Sequence, residues 1–174
     1  SCTTLMKNLN GASVVTTEGI PENVRDVIAK AYVAKGAVQC GFCTPGLIMR
    51  TKVLFQEKPQ ASREEIRKAI GLNLCRCTGY VKIIDAIELA LNALRNNEKV
   101  ELPITNGHTR TNLPKYNAYE TAIGKRKFVN DISLPGMLYG ALRYSDYPRA
   151  VVKNIDISEA EKYPGVVKVF TASD

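Results

Sequence analysis

Two close pairs of cysteines constrain what this chain can fold into. Four of its five cysteines lie in the sequences CGFC, residues 40–43, and CRC, residues 75–77. The pairs can meet only if residues 44–74 fold back on themselves, and that segment is predicted to form two helices joined by a turn. The arrangement therefore predicts one metal centre shared by four thiols, which are those of Cys40, Cys43, Cys75 and Cys77.

The residue types limit the metal centre to two kinds but do not decide between them. Thiolate sulfur selects zinc or an iron–sulfur cluster over cations that prefer oxygen ligands. Structural zinc sites usually join a C-x-x-C pair to a second such pair or to histidines, whereas the second pair here is C-x-C and the only histidine, His108, lies in a polar segment. The pattern favours an iron–sulfur cluster, with zinc as the alternative and disulfides or unrelated free thiols as the third reading.

Both cysteine pairs are expected just before helices. Side chains two residues apart point to opposite sides of a helix, so Cys75 and Cys77 should lie in a turn that precedes one. Pro45 follows Cys43 closely, at a position where proline favours a helix start. Amides and the positive dipole end at a helix N-terminus stabilise anions, which suits an anionic thiolate cluster.

Apolar spacing predicts four helices before residue 97. The first runs from Pro21 to Lys35 and the second from Gly46 to Gln56, while the third opens at a capping-box pattern in residues 62–65. The fourth runs from about Lys82 to Asn96, and its apolar stripe is wide enough for a bundle core. Residues 16–96 are thus predicted to form a helical domain.

The composition of the chain changes after residue 96. Residues 97–115 are polar and irregular and are interpreted as a linker, within which His108 is given no role. Residues 116–174 contain β-branched and aromatic runs and one short helix near 158–163. The predicted strands are Lys127–Ile132, Met137–Tyr144, Val151–Ile157 and Val166–Thr171. The predicted fold class is multi-domain: an all-α four-helix domain followed by an α+β module.

Composition excludes some partners. The 174 residues carry a formal net charge of +7 with no tryptophan, and the basic residues are spread along the chain rather than clustered. That distribution is typical of a solvated surface, so no nucleic-acid partner is expected. No apolar run approaches the roughly 20 residues needed to cross a bilayer, so no membrane partner is expected either. Cysteines used as reduced ligands favour a cytoplasmic location.

The sequences around the cysteines resemble a known family. Residues 39–46, QCGFCTPG, and 73–80, NLCRCTGY, are similar to the second iron–sulfur domain of the molybdenum hydroxylases, the family of xanthine oxidase and aldehyde oxidoreductase. Shorter stretches, at 132–141, 156–160 and 164–167, resemble the α/β hammerhead domain of the same family. The resemblance implies that residues 1–15 are the tail of a plant-ferredoxin-like 2Fe-2S domain and that 116–174 begin the molybdenum-binding part.

The resemblance also implies roles for individual residues. Cys40, Cys43, Cys75 and Cys77 would hold the 2Fe-2S cluster proximal to molybdenum, and Gln39 and Cys77 would lie against the molybdopterin. Cys2 resembles the fourth ligand of the distal 2Fe-2S cluster, whose other ligands are not in this sequence. No residue is assigned to catalysis, because these family features describe an electron relay.

The whole enzyme implied is a molybdopterin-dependent hydroxylase that oxidises xanthine-like heterocycles or aldehydes. This chain alone is not expected to be catalytic, and it would work with the ferredoxin-like and molybdenum domains and with a small-molecule substrate. The short linker implies that FAD is not in this chain, so the flavin would be absent or on a separate subunit. The alternatives are an autonomous iron–sulfur electron carrier, or a structural zinc-binding protein.

Overall fold

The computed structural model describes residues 5–104, 107 and 113–174, which divide into two compact units between Ile132 and Ser133. Through these described ranges the backbone forms helices, turns and irregular segments, and no β-strand. None of the described helices is long and apolar enough to cross a membrane.

The first unit contains the four predicted helices. They are α1, Glu22–Ala34; α2, Thr44–Glu57; α3, Arg63–Ala69; and α4, Tyr80–Asn96. The most extensive contact joins α1 to α4, and α2 and α3 each pack against α4 as well. The four-helix prediction for this part of the chain is confirmed.

A continuous apolar core holds these helices together. Each helix turns the face that its apolar spacing predicts toward the centre, and fully buried side chains come from all four: Ile28, Tyr32, Leu47, Ile48, Ile66, Ile83 and Ile87. Complete burial of one such aliphatic side chain stabilises the fold by roughly 1.5–3 kcal/mol. The packing of the core therefore holds α2 and α4 in fixed positions relative to each other.

Local signals define the helix starts. The predicted capping box is present, since the Glu65 amide donates to Ser62 Oγ at 3.3 Å and the Ser62 amide donates to Glu65 Oε2 at 2.9 Å. Lys58 and the Ser62 groups lower the pKa of the Glu65 carboxyl to about 2, so it remains an acceptor at neutral pH. Pro45 stands in the first turn of α2, as predicted.

A fifth helix, α5, comprises Ala118–Ala122 and was not predicted. It belongs to the first unit and packs against α1 and α2, with Ala118 and Ala122 buried. The predicted domain boundaries at residues 15, 96 and 115 stay predictions. Residues 118–122, however, belong to the same unit as the four helices and the cysteine pairs.

The second unit, which follows Ile132, is more open. Its short helix α6, Ser158–Lys162, confirms the helix predicted near 158–163. Tight turns occur at both Pro-Gly sequences, where the Met137 amide donates to the Leu134 carbonyl and Gly136 and Gly165 have φ of 73° and 92°.

The structure does not confirm the predicted strands. Residues 129–131 form a short 3-10 helix, and the three later segments are irregular. Their apolar side chains are largely exposed, including Tyr139 and Val151 at 88% and 86%. A strand needs backbone partners in a neighbouring strand, and β-branched spacing alone does not supply them.

Candidate metal centre

The fold brings both cysteine pairs to one pocket. The first pair lies in the loop between α1 and α2, and the second lies in the turn that leads into α4. The four cysteines line this pocket, and the other lining residues are Gly36, Ala37, Gln39, Gly41 and Gly79. Helix α2 begins directly after Cys43, and α4 begins three residues after Cys77. Both pairs therefore precede helices, as predicted.

The four thiols differ in exposure. Cys75 is buried, Cys43 and Cys77 are half-buried, and Cys40 is exposed, and all four are free of disulfide bonds. A shared group would therefore sit at the surface of the helical unit, with Cys75 on its inner side and Cys40 at its outer edge. Such a position suits a group that exchanges electrons with a neighbour and does not need to be sealed inside.

Backbone amides lower the pKa of the Cys75 thiol. Burial by itself would raise the pKa of the Cys75 thiol, but the N–H groups of Gly79, Cys77 and Thr78, together with the Cys43 thiol, lower the pKa below its ordinary value. Thr78 takes a left-handed conformation with φ of 55°, which is rare for a β-branched residue. Successive amides arranged by such a turn form a concave anion-binding nest. Residues 77–79 thus favour a thiolate at Cys75.

Cys43 behaves in the opposite way. Burial, followed by the neighbouring Cys75 and Cys40 thiols, raises the pKa of the Cys43 thiol to about 12. Closely placed thiols cannot all lose their protons unless a positive charge compensates them. A metal centre supplies that charge, so the pocket favours a cationic metal group that deprotonates its ligands.

The side chain of Tyr80 holds the second cysteine pair in place. The Cys75 amide donates to Tyr80 Oη at 2.8 Å, and Tyr80 Oη donates to the Asn73 carbonyl at 3.0 Å. Tyr80 is the first residue of α4 and is half-buried. Its hydroxyl therefore closes the turn that carries Cys75 onto the start of the helix.

We expect Tyr80→Phe to loosen this turn. The substitution leaves the Cys75 amide and the Asn73 carbonyl without their partner, at a cost of about 1–3 kcal/mol in the free energy of unfolding. Urea denaturation of the metal-free chain measures that cost. Tyr116→Phe is the matched control, because Tyr116 is 83% exposed. Equal unfolding midpoints for both variants would show that the Tyr80 hydroxyl does not support the turn.

The pocket is lined by four free cysteines from two pairs. In the described ranges, no three or more His, Cys, Asp or Glu side chains form a group that could hold a single metal ion. A 2Fe-2S cluster divides four thiolates between two irons. The chemistry of the donor set fits the cluster.

The structure locates the other predicted residues. Gln39 is exposed at the rim of the pocket, where a Cβ added to Gly79 would lie 3.2 Å from Gln39 Nε2. Arg76 lies between the second pair of thiols and is exposed. Cys2 and His108 fall outside the described residues, so the expectation for each stays a prediction.

Several supporting residues were not singled out as such from the sequence. The roles of Thr78 and Tyr80 depend on a left-handed backbone and on a hydroxyl that points back along the chain, which apolar spacing does not reveal. Lys115 and Thr121 come from a segment far along the chain, and both contact the first cysteine loop. These two contacts are visible only in the three-dimensional structure, where the segment that contains α5 packs against this loop.

Comparison with known proteins agrees with this site. Residues 16–88 match the family described as the 2Fe-2S binding domain, and residues 123–174 match the aldehyde oxidase and xanthine dehydrogenase a/b hammerhead domain. The chain is 38% identical over 97 residues to the nicotinate dehydrogenase small FeS subunit of Eubacterium barkeri, an alignment that covers 55% of this chain and 62% of that protein.

Longer alignments involve aldehyde oxidoreductases. The chain is 35% identical to the aldehyde oxidoreductase of Megalodesulfovibrio gigas over 188 aligned residues, which cover 100% of this chain and 20% of that protein. The crystal structure of aldehyde oxidoreductase from Desulfovibrio desulfuricans ATCC 27774 is similar with a TM-score of 0.70 and 34% identity, over 92% of this chain and 20% of that one. The chain thus spans about a fifth of the length of these two relatives. Since one alignment runs through both matched segments, the whole described pattern is similar to a fragment of a molybdenum hydroxylase, the family that the cysteine motifs resemble.

Proposed function

We propose that this chain binds one 2Fe-2S cluster through Cys40, Cys43, Cys75 and Cys77 and serves as the electron-relay part of a molybdopterin-dependent hydroxylase. The observation that carries the proposal is the convergence of four free thiols on one pocket, within the residues that match a 2Fe-2S binding domain. When bound, the cluster takes up and releases single electrons. The surrounding residues tune and orient it and do not touch substrate.

The chain's own residues support a relay in three ways. The amides of residues 77–79 stabilise negative charge on the Cys75 sulfur, and Tyr80 fixes the turn that carries it. The exposed position of Cys40 leaves one edge of the pocket open to a neighbouring redox group. Gln39 stands at that edge, and its amide could donate to and accept from the polar rim of a pterin. We infer that Gln39 and the backbone at Cys77 face the molybdopterin.

The activity of the whole protein is part of the same proposal. We infer oxidation of xanthine-like heterocycles or aldehydes, and the names of the related aldehyde oxidoreductase and nicotinate dehydrogenase support this substrate class. Residues 123–174 would form the α+β hammerhead module once further strands pair with them. The ferredoxin-like and molybdenum domains would be its partners, with FAD outside this chain or absent. A cytoplasmic location, which keeps thiols reduced, stays a prediction.

Cys2 would serve a second cluster. We propose that it is the fourth ligand of the distal 2Fe-2S site, which the ferredoxin-like domain completes. In the assembled enzyme, Cys2→Ala should remove the distal cluster's paramagnetic resonance signal and leave the proximal one. A distal signal that survives the substitution would refute this ligand.

Metal analysis separates this proposal from its alternatives. The purified, anaerobically prepared chain should contain about two irons and two acid-labile sulfides and give a paramagnetic resonance signal after reduction by dithionite. Stoichiometric zinc without iron would establish the structural zinc alternative. An autonomous electron carrier would exchange electrons with soluble donors but would not bind the molybdenum domains, so a binding assay with those domains distinguishes it.

Arg76 is expected to raise the cluster's reduction potential. Its guanidinium lies on the exposed turn between the thiols of the second pair, and a nearby cation stabilises the more negative reduced state. Arg76→Gln should therefore lower the midpoint potential in a redox titration, while Arg76→Lys should retain most of it. A midpoint that is unchanged in Arg76→Gln would show that solvent screens this charge completely.

A further inference from the structure

The segment 115–124, which includes α5, lies across the loop that carries the first cysteine pair. It contacts this loop at the Gln39 carbonyl and at the Cα of Gly41, the residues on either side of Cys40. Both contacts lie within the first unit of the structure.

The contact at Gly41 is the tightest. A Cβ added to Gly41 would overlap the Thr121 Cγ2 methyl and lie 3.3 Å from Thr121 Cβ. Thr121 is 2% exposed, and its Oγ1 donates to the Asn117 carbonyl at 2.6 Å, so the methyl cannot readily turn away. Gly41 also has a φ of 83°, which glycine adopts without strain. The first cysteine loop thus closes directly against α5.

The ammonium group of Lys115, at the start of the segment, also contacts the loop that carries the first cysteine pair. Lys115 Nζ donates a hydrogen bond to the Gln39 carbonyl, which belongs to the residue before Cys40. An ammonium at this position orients the peptide that leads into the cysteine pair. It also places a positive charge near thiolates that are negative when they hold a metal group.

The segment is itself anchored on α1. Tyr119 Oη donates to Asp26 Oδ1 at 2.9 Å, and Ala118 and Ala122 are buried against the helices. The segment is therefore held at several places, and its contact with the cysteine loop does not depend on a single side chain.

We propose that residues 115–124 act as a clamp segment that fixes the loop bearing Cys40 and Cys43, with Thr121 and Lys115 as positioning residues of the iron–sulfur site. The inference rests on the proposed function in so far as it concerns a cluster. It assigns a role in electron relay to a segment that lies beyond the residues 16–88 that match the 2Fe-2S binding domain.

Two substitutions test the clamp, one that adds a methyl group at Gly41 and one that removes the methyl group of Thr121. Gly41→Ala should release iron to a chelator about tenfold faster than wild type, because the new methyl drives the loop and α5 apart. Adding Thr121→Ser removes the overlapping Cγ2 and keeps the hydroxyl, so the double variant should recover most of the lost retention. Gly11→Ala is the matched control, because Gly11 has a φ of 74° and open space around it. Equal release rates for Gly41→Ala and the double variant would overturn the clamp.

The midpoint potential of the cluster tests the charge of Lys115 separately from the position of the loop. Lys115→Met should lower the midpoint potential of the cluster, Lys115→Arg should restore it, and Lys99→Met, at an exposed lysine elsewhere on the first unit, should not change it. Identical potentials in Lys115→Met and wild type would overturn the assignment of Lys115.

The clamp and the proposed function can fail separately. A wild-type chain without iron or sulfide would refute the cluster and leave the steric test intact in the metal-free chain. There, Gly41→Ala should lower the urea unfolding midpoint more than Gly11→Ala, and Thr121→Ser should restore part of the loss in the double variant. Equal midpoints for the two glycine variants would refute the clamp even if wild type carries a full cluster.

Discussion

Cys75→Ala is expected to abolish the iron–sulfur site. Cys75 is the buried member of the four thiols, and the amides of residues 77–79 lower the pKa of its thiol. Without this thiolate one iron keeps a single protein ligand, and no other thiol, histidine or carboxylate lines the described pocket to replace it. Iron content should fall from about two per chain to near zero, with loss of the visible colour and the paramagnetic resonance signal.

Two controls separate ligand loss from misfolding. Cys2→Ala in the isolated chain should keep its iron, because Cys2 cannot complete a site without the ferredoxin-like domain. The metal-free Cys75→Ala chain should unfold in urea within about 1–2 kcal/mol of wild type, since the substitution removes only one buried sulfur atom. Full iron and an unchanged spectrum in Cys75→Ala would exclude Cys75 as a ligand and with it the proposed site.

Tyr32→Ala should have the largest effect on stability. Tyr32 is fully buried on α1, and its hydroxyl lies 3.1 Å from Thr51 Oγ1 on α2. Because Thr51 Oγ1 itself donates to the Leu47 carbonyl at 2.8 Å, the Tyr32 hydroxyl is the donor to Thr51. Burial raises the pKa of Tyr32, so it remains a neutral donor. Removing the ring should cost about 3–5 kcal/mol, a large share of the stability of a small domain.

Chemical denaturation of the metal-free chain measures this loss. Tyr32→Phe keeps the ring and removes only the hydrogen bond, so it should cost about 1 kcal/mol. Tyr116→Ala is the surface control and should change the free energy of unfolding by less than about 0.5 kcal/mol. A Tyr32→Ala chain as stable as Tyr116→Ala would mean that the buried Tyr32 side chain does not stabilise the packing of α1 against α2.

The helical unit was largely predictable because its signals are local. Apolar residues at helical spacing in α1 and α4 are buried where expected, and Ser62 and Pro45 mark helix starts through chemistry that each carries by itself. The positions of the two cysteine pairs before α2 and α4 also followed from local rules. Their meeting in one pocket required only that residues 44–74 fold back.

The features that escaped prediction depend on contacts distant in sequence. Helix α5 has only five residues, too few for apolar spacing to identify, and it forms because Ala118, Thr121 and Ala122 are buried against α1 and α2. The strands predicted after residue 126 have the right composition but lack neighbouring strands in the structure. In the second cysteine turn, the residue types do not indicate that the backbone of Thr78 is left-handed.

The left-handed turn at Thr78 bears on the speed of electron passage. The amides that lower the pKa of the Cys75 thiol belong to this turn, and Tyr80 ties the same turn to α4. Dipoles fixed in advance need not reorient when one unit of charge arrives or departs. The reorganisation energy contributed by the polypeptide should accordingly be small, so that distance and driving force, rather than chain rearrangement, govern the tunnelling rate.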